Sequence, residues 1–173
     1  MSNNHLIQAL IITAILSAIF QTSAYGQQAN SNFRTETALV SRVNLGGNGI
    51  GGDISFEIGG ISKEAFHFGA GIGGGYNVMA GYGGTIKDFT MPVYAYTGYN
   101  IPISDKRSFI TRIDGGYHFR EESSESTYFV NPQIGLLFIS KKKTSKPFLL
   151  IGYRKDCREC GYGGLSLRFG YRF

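Results

Sequence analysis

From Gly164 to Phe173, apolar residues alternate strictly with small or polar ones. Leu165, Leu167, Phe169, Tyr171 and Phe173 make one set, and Gly164, Ser166, Arg168, Gly170 and Arg172 the other. Successive side chains of a strand point to opposite faces, so a period of two predicts a strand with one aromatic, apolar face and one face of glycine, serine and arginine.

The same period runs back along the chain. Leu149, Ile151 and Tyr153 alternate with Leu150, Gly152 and Arg154, and the outer set Tyr128 to Phe138 with Phe129, Asn131, Gln133, Gly135 and Leu137. Phe109, Ile113, Tyr117 and Phe119 alternate with Arg112, Asp114, Gly116 and His118. Phe66, Phe68, Ala70, Ile72 and Tyr76 alternate with His67, Gly69, Gly71, Gly73 and Gly75, and Ile54, Phe56 and Ile58 with Asp53, Ser55 and Glu57. Glu36 to Leu45 and Phe89 to Asn100 complete the set less clearly, the second because Tyr94 and Tyr96 blur its faces. Eight strands result. Turns are expected near residues 46–49, 61–64, 77–88, 101–107, 120–126, 140–146 and 155–161. Beyond Gln27 no stretch sustains a helical period over three turns.

A soluble barrel or sandwich would bury the apolar faces. A transmembrane barrel inverts them, turning apolar residues to lipid and polar ones to the lumen. Strands of about 10 residues suit a tilted span of the bilayer. Aromatics gather at both strand ends, with Tyr76, Phe89, Tyr117, Phe119, Tyr128 and Tyr153 at one and Phe66, Tyr99, Phe109, Phe138 and Phe173 at the other. The polar faces carry glycine and paired charge rather than lysine, unlike a solvated surface. The expected fold class is therefore all-β, an eight-stranded antiparallel up-and-down transmembrane barrel over residues 27–173.

Composition agrees with strands and turns: 25 Gly, 13 Phe and 11 Tyr against 4 Pro and no Trp in 173 residues. Length suits one domain, and 17 Lys plus Arg against 12 Asp plus Glu leave a modest +5. No nucleic-acid partner is expected. Residues 1–26 read as a removable signal peptide, with an apolar run from Ala9 to Phe20 and small residues at Ala24 and Gly26. No Lys or Arg precedes that run, and an uncleaved anchor is the alternative.

The ending "SLRFGYRF" makes the chain resemble small eight-stranded outer-membrane barrels of the OmpA/OmpX type, close to compact barrels common in Bacteroidetes. The resemblance implies an outer-membrane location, contact with membrane lipid and lipopolysaccharide, and a monomer. It also implies a terminal strand read by the outer-membrane assembly machinery, with Ser166, Tyr171 and Phe173 at the polar, hydrophobic and terminal aromatic positions. Arg168 stands where that pattern has glycine.

Within "FGAGIGGGY", Gly69, Gly71 and Gly74 match the spacing of a dinucleotide fingerprint. That motif needs a helix N-terminus after its strand, and "YNVMAGYGGT" supplies none. In the strand reading, Gly69, Gly71, Gly73 and Gly75 line the lumen and make room for long side chains opposite.

Those long side chains are Arg42, Arg112, Arg154, Arg168 and Arg172, pointing inward with Glu36, Asp53, Glu57 and Asp114. Unpaired charge inside would be costly, so one bridged network is expected, a polar plug rather than a conduit. The termini and three turns face the periplasm and four loops face outward. The inner turns hold Lys63, Lys106, Arg107, Lys141, Lys142, Lys143 and Lys146, which suit either anionic headgroups or solvent. The acidic outer loop 120–126 suits bridging cations.

Cys157 and Cys160 could form a disulfide at the last hairpin, remain free thiols, or serve redox or metal chemistry. No cofactor and no metal is expected. A lipid A-modifying enzyme would need a nucleophile beside a base, for which His118 near Ser123 or Ser124 is the one candidate. The reading is a closed barrel with a structural or surface-interaction role and no enzymatic activity. Its alternatives are a small pore, that lipid A enzyme, and a soluble periplasmic ligand-binding barrel.

Overall fold

The computed structural model describes residues 33–46, 49–62, 65–81, 84–120, 127–139, 146–157 and 163–173. The signal segment lies outside them. Eight strands follow one another: β1 (Phe33–Gly46), β2 (Gly49–Ser62), β3 (Phe66–Gly81), β4 (Gly84–Ser104), β5 (Arg107–Arg120), β6 (Thr127–Phe138), β7 (Lys146–Cys157) and β8 (Gly163–Arg172). Each pairs antiparallel with its sequence neighbours, and β8 returns to β1 to close the barrel. Closure leaves no sheet edge in the wall. At the seam the Phe173 N–H donates to the Thr37 carbonyl at 2.7 Å, and Thr37 returns the bond at 3.3 Å.

Most strands are longer than the alternation indicates. The clearest difference is at residues 77–88, expected as a turn, where β3 runs on to Gly81 and β4 starts at Gly84. Asn77 and the glycines read singly as breakers. Yet Val78 and Met79 are held on both sides, by Ile50 and Gly49 of β2 and by Lys87 and Ile86 of β4, and a two-sided ladder overrides local turn preference.

The faces are inside-out relative to a soluble barrel. Arg42 and Arg168 are 0% exposed, whereas Ile54 is 62% and Tyr153 57% exposed. A soluble ligand-binding barrel would reverse these values; this is the arrangement of a transmembrane barrel. Two belts of aromatics ring the outside. At the end bearing the chain termini Phe66 sits across from Tyr99. At the far end Tyr76 faces Phe89, and Tyr117 faces Tyr128 with ring centroids 5.5 Å apart.

β4 resolves its ambiguous faces by turning Tyr94 and Tyr96 inward. Tyr94 is 3% exposed. Both rings lie against the glycine face of β3: a Cβ on Gly71 would stand 2.5–2.8 Å from the Tyr94 ring, and one on Gly69 2.6 Å from Tyr96. Those glycines are therefore the sockets for two tyrosines.

Candidate functional site

The site is the lumen. At its centre lie two carboxylates and two guanidiniums from three strands, closely hydrogen-bonded. Glu57 of β2 accepts from Arg112 of β5 through both terminal nitrogens, at 2.9 and 2.7 Å, from Arg168 of β8 at 2.7 Å and from the Tyr94 hydroxyl at 2.7 Å. Asp114 accepts from Arg112 Nε at 2.6 Å, Arg168 Nη1 at 2.7 Å and Gln133 Nε2 at 2.6 Å. Arg112 also stacks on Tyr96, its guanidinium carbon 3.7 Å from the ring centroid. A buried ion pair offsets its desolvation only when its remaining polar atoms are satisfied, and this quartet meets that condition almost completely.

The other expected charges do not join the quartet. Arg172 pairs with Glu36 at 3.3 Å near the terminal end, with Lys146 at 3.9 Å from the same carboxylate. Arg42 stands 3.8 Å from Asp53. Arg154 makes two bonds to Asp156, at 2.9 and 2.8 Å, and Arg120 lies 3.6 Å from Asp88. The single bridged network is thus corrected to one quartet and four separate pairings. The cause is height: alternation assigns a residue to the inner face, but the strand register decides which inner residues lie level.

Asp156, Asp88 and Arg120 fall within expected turns, yet all belong to strands. Among the described residues, six lumen arginines therefore meet six carboxylates.

Nor is the filling polar throughout. Ala38, Val40, Ile110, Leu137, Phe148 and Leu150 pack into a buried apolar cluster toward the terminal end. Leu137 and Leu150 stood on inner positions in the sequence, so the signal was present. A fully apolar stretch hides it, because both faces look alike.

Ser166 is turned inward, accepting from Asn131 Nδ2 at 3.1 Å, while Tyr171 packs edge-on to Phe169 outside. Cys157 ends β7, and Cys160 lies outside the described residues, as does any bond between them. His118 is buried inside the barrel, its ring edge-on to Phe129 at 4.9 Å. Ser123 and Ser124 lie outside the described residues.

No protein-family model and no curated protein matches the chain. Solved structures similar to it in fold include Neisserial surface protein A, at 11% identity over 82% of this chain and 96% of that one, with a TM-score of 0.53. The outer membrane enzyme PagL is similar over 79% of this chain and 98% of that one, at 10% identity and a TM-score of 0.52. At such identities the likeness is one of fold.

Proposed function

We propose that the chain is a closed, monomeric outer-membrane barrel with a structural or surface-interaction role and no enzymatic activity. The observation that carries this reading is the lumen: paired charges fill its middle and an apolar cluster closes one end. An ion entering would have to break buried pairs and then pass a tightly packed, largely apolar cluster. The terminal end is periplasmic in this orientation, and Ser166, Tyr171 and Phe173 are the marks offered to the assembly machinery. Kinship with compact barrels of Bacteroidetes rests on that ending.

Lipid and lipopolysaccharide are the partners this surface suits. Lys87 and Lys155, both exposed, stand on the outward face one step beyond Phe89 and Tyr153 of the far aromatic belt. That is the level at which lipid phosphates would meet them.

The test begins with gel mobility of protein from isolated outer membranes, unboiled and boiled, followed by planar-bilayer recording of the refolded barrel. Expected are a heat-dependent shift in mobility and no steady current. A large, reproducible single-channel current would overturn the closed reading and favour a pore. Lipid A of altered mass after overexpression would favour an enzyme.

A further inference from the structure

The Arg42 guanidinium stands out among the buried polar groups of the lumen, several of which lack a hydrogen-bond partner among the described residues. It is fully buried, yet none of its three nitrogens makes a hydrogen bond among the described residues. Its Nε side faces Asp53 at 3.8 Å, beyond bonding distance, and Asp53 already accepts from the Ser55 hydroxyl at 2.9 Å. The Nη1 and Nη2 edge, the fork that suits two oxygens of one anion, has no acceptor.

Around it gather aromatic rings and further cationic and polar groups. Arg42 lies over the rings of Tyr94 and Phe129, at 4.9 and 5.7 Å. The same Phe129 ring is touched by His118, and Arg154 sits 4.3 Å above it. The charges of Arg154, Arg42 and Arg120 all reach His118. Neither His118 ring nitrogen nor the Thr127 hydroxyl, across the ladder from it, has a hydrogen-bond partner among the described residues. The carboxylates nearby are engaged: Asp156 takes both Arg154 bonds and Asp88 has Arg120. Buried polar groups are rarely left unmatched; the Arg42 nitrogens can only donate, and the Thr127 hydroxyl and one His118 ring nitrogen can donate beside them.

We propose that Arg42, His118 and Thr127 form an oxyanion site in the far half of the lumen, with Phe129 as its wall and the Glu57–Arg112–Asp114–Arg168 quartet as its floor. The ligand is a phosphate-type group, seated on the Nη edge of Arg42 away from Asp53. It enters from the far end, because the quartet and the apolar cluster fill the lumen below. Such a group can come from free phosphate or from a lipid headgroup.

The test uses the refolded full barrel in maltoside micelles and follows the temperature at which the unboiled, folded gel band is lost. Inorganic phosphate is titrated at ionic strength held constant with sodium chloride; a parallel series dopes the micelles with phosphatidylglycerol. A saturable rise with inorganic phosphate supports the site with a soluble ligand, and a rise only in doped micelles supports it with a headgroup ligand. Thr127→Val, which keeps the side-chain volume, is expected to weaken the response about tenfold, as loss of one bond to a charged group would. Arg42→Met is expected to abolish it. No response to either phosphate source, a response that chloride reproduces, or an unchanged response in Thr127→Val would overturn the proposal while leaving the barrel reading intact.

Discussion

Replacing Glu57 by alanine is expected to lower the stability of the barrel by about 3–5 kcal/mol, the usual consequence of removing one member of a buried ion pair. The carboxylate accepts from Arg112, Arg168 and Tyr94 at 2.7–2.9 Å, with 2% of its side chain exposed. Its loss leaves two buried guanidiniums sharing the single carboxylate of Asp114, one positive charge in excess. Reversible urea unfolding in detergent, read by the unboiled band, measures the change. Combining Glu57→Ala with Arg168→Met should recover part of the loss, because the second substitution removes the excess positive charge. A shift under about 1 kcal/mol for Glu57→Ala would mean that the quartet is solvated and the lumen wet, since exposed pairs contribute no more than that.

Gly71→Val should be comparably severe. The new Cβ would fall 2.5–2.8 Å from the end of the Tyr94 ring, and that end is pinned by its hydroxyl bonds to Glu57 and Arg168. Overpacking costs about 1–3 kcal/mol, and loss of a hydrogen bond to a charged group about 1.5–3 kcal/mol. Tyr94→Leu should absorb most of the clash, so the double variant should lose less than the two single changes together. Strict additivity in the same unfolding measurement would show that the ring does not occupy the glycine socket.

Much of this was legible in the alternation of single residues. Arg168 between Leu167 and Phe169, and Asp114 between Ile113 and Gly115, could only turn inward once their neighbours turned out. Gly69, Gly71, Gly73 and Gly75 pointed to long partners across a narrow lumen, though not to which ones. Three things stayed hidden. Tyr94 and Tyr96 could not be assigned because Val93 and Ala95, on the alternate positions, are apolar as well. Asp88 and Asp156 were lost to the turns because charged and glycine-rich hairpin ends read as loops whether or not the ladder continues. The pairing itself was illegible, since Arg168 finds Glu57 at a separation of 111 positions through a register that no local pattern encodes.

That long-range pairing gives the last strand a second task. Arg168 of β8 supplies bonds to both Glu57 of β2 and Asp114 of β5. A sheet still waiting for β8 thus holds two acids each missing a partner, and hydrocarbon penalises such groups far more than water does. The finished cylinder is the form the bilayer tolerates best, so the chemistry of its interior acts as a checkpoint on how many strands have arrived.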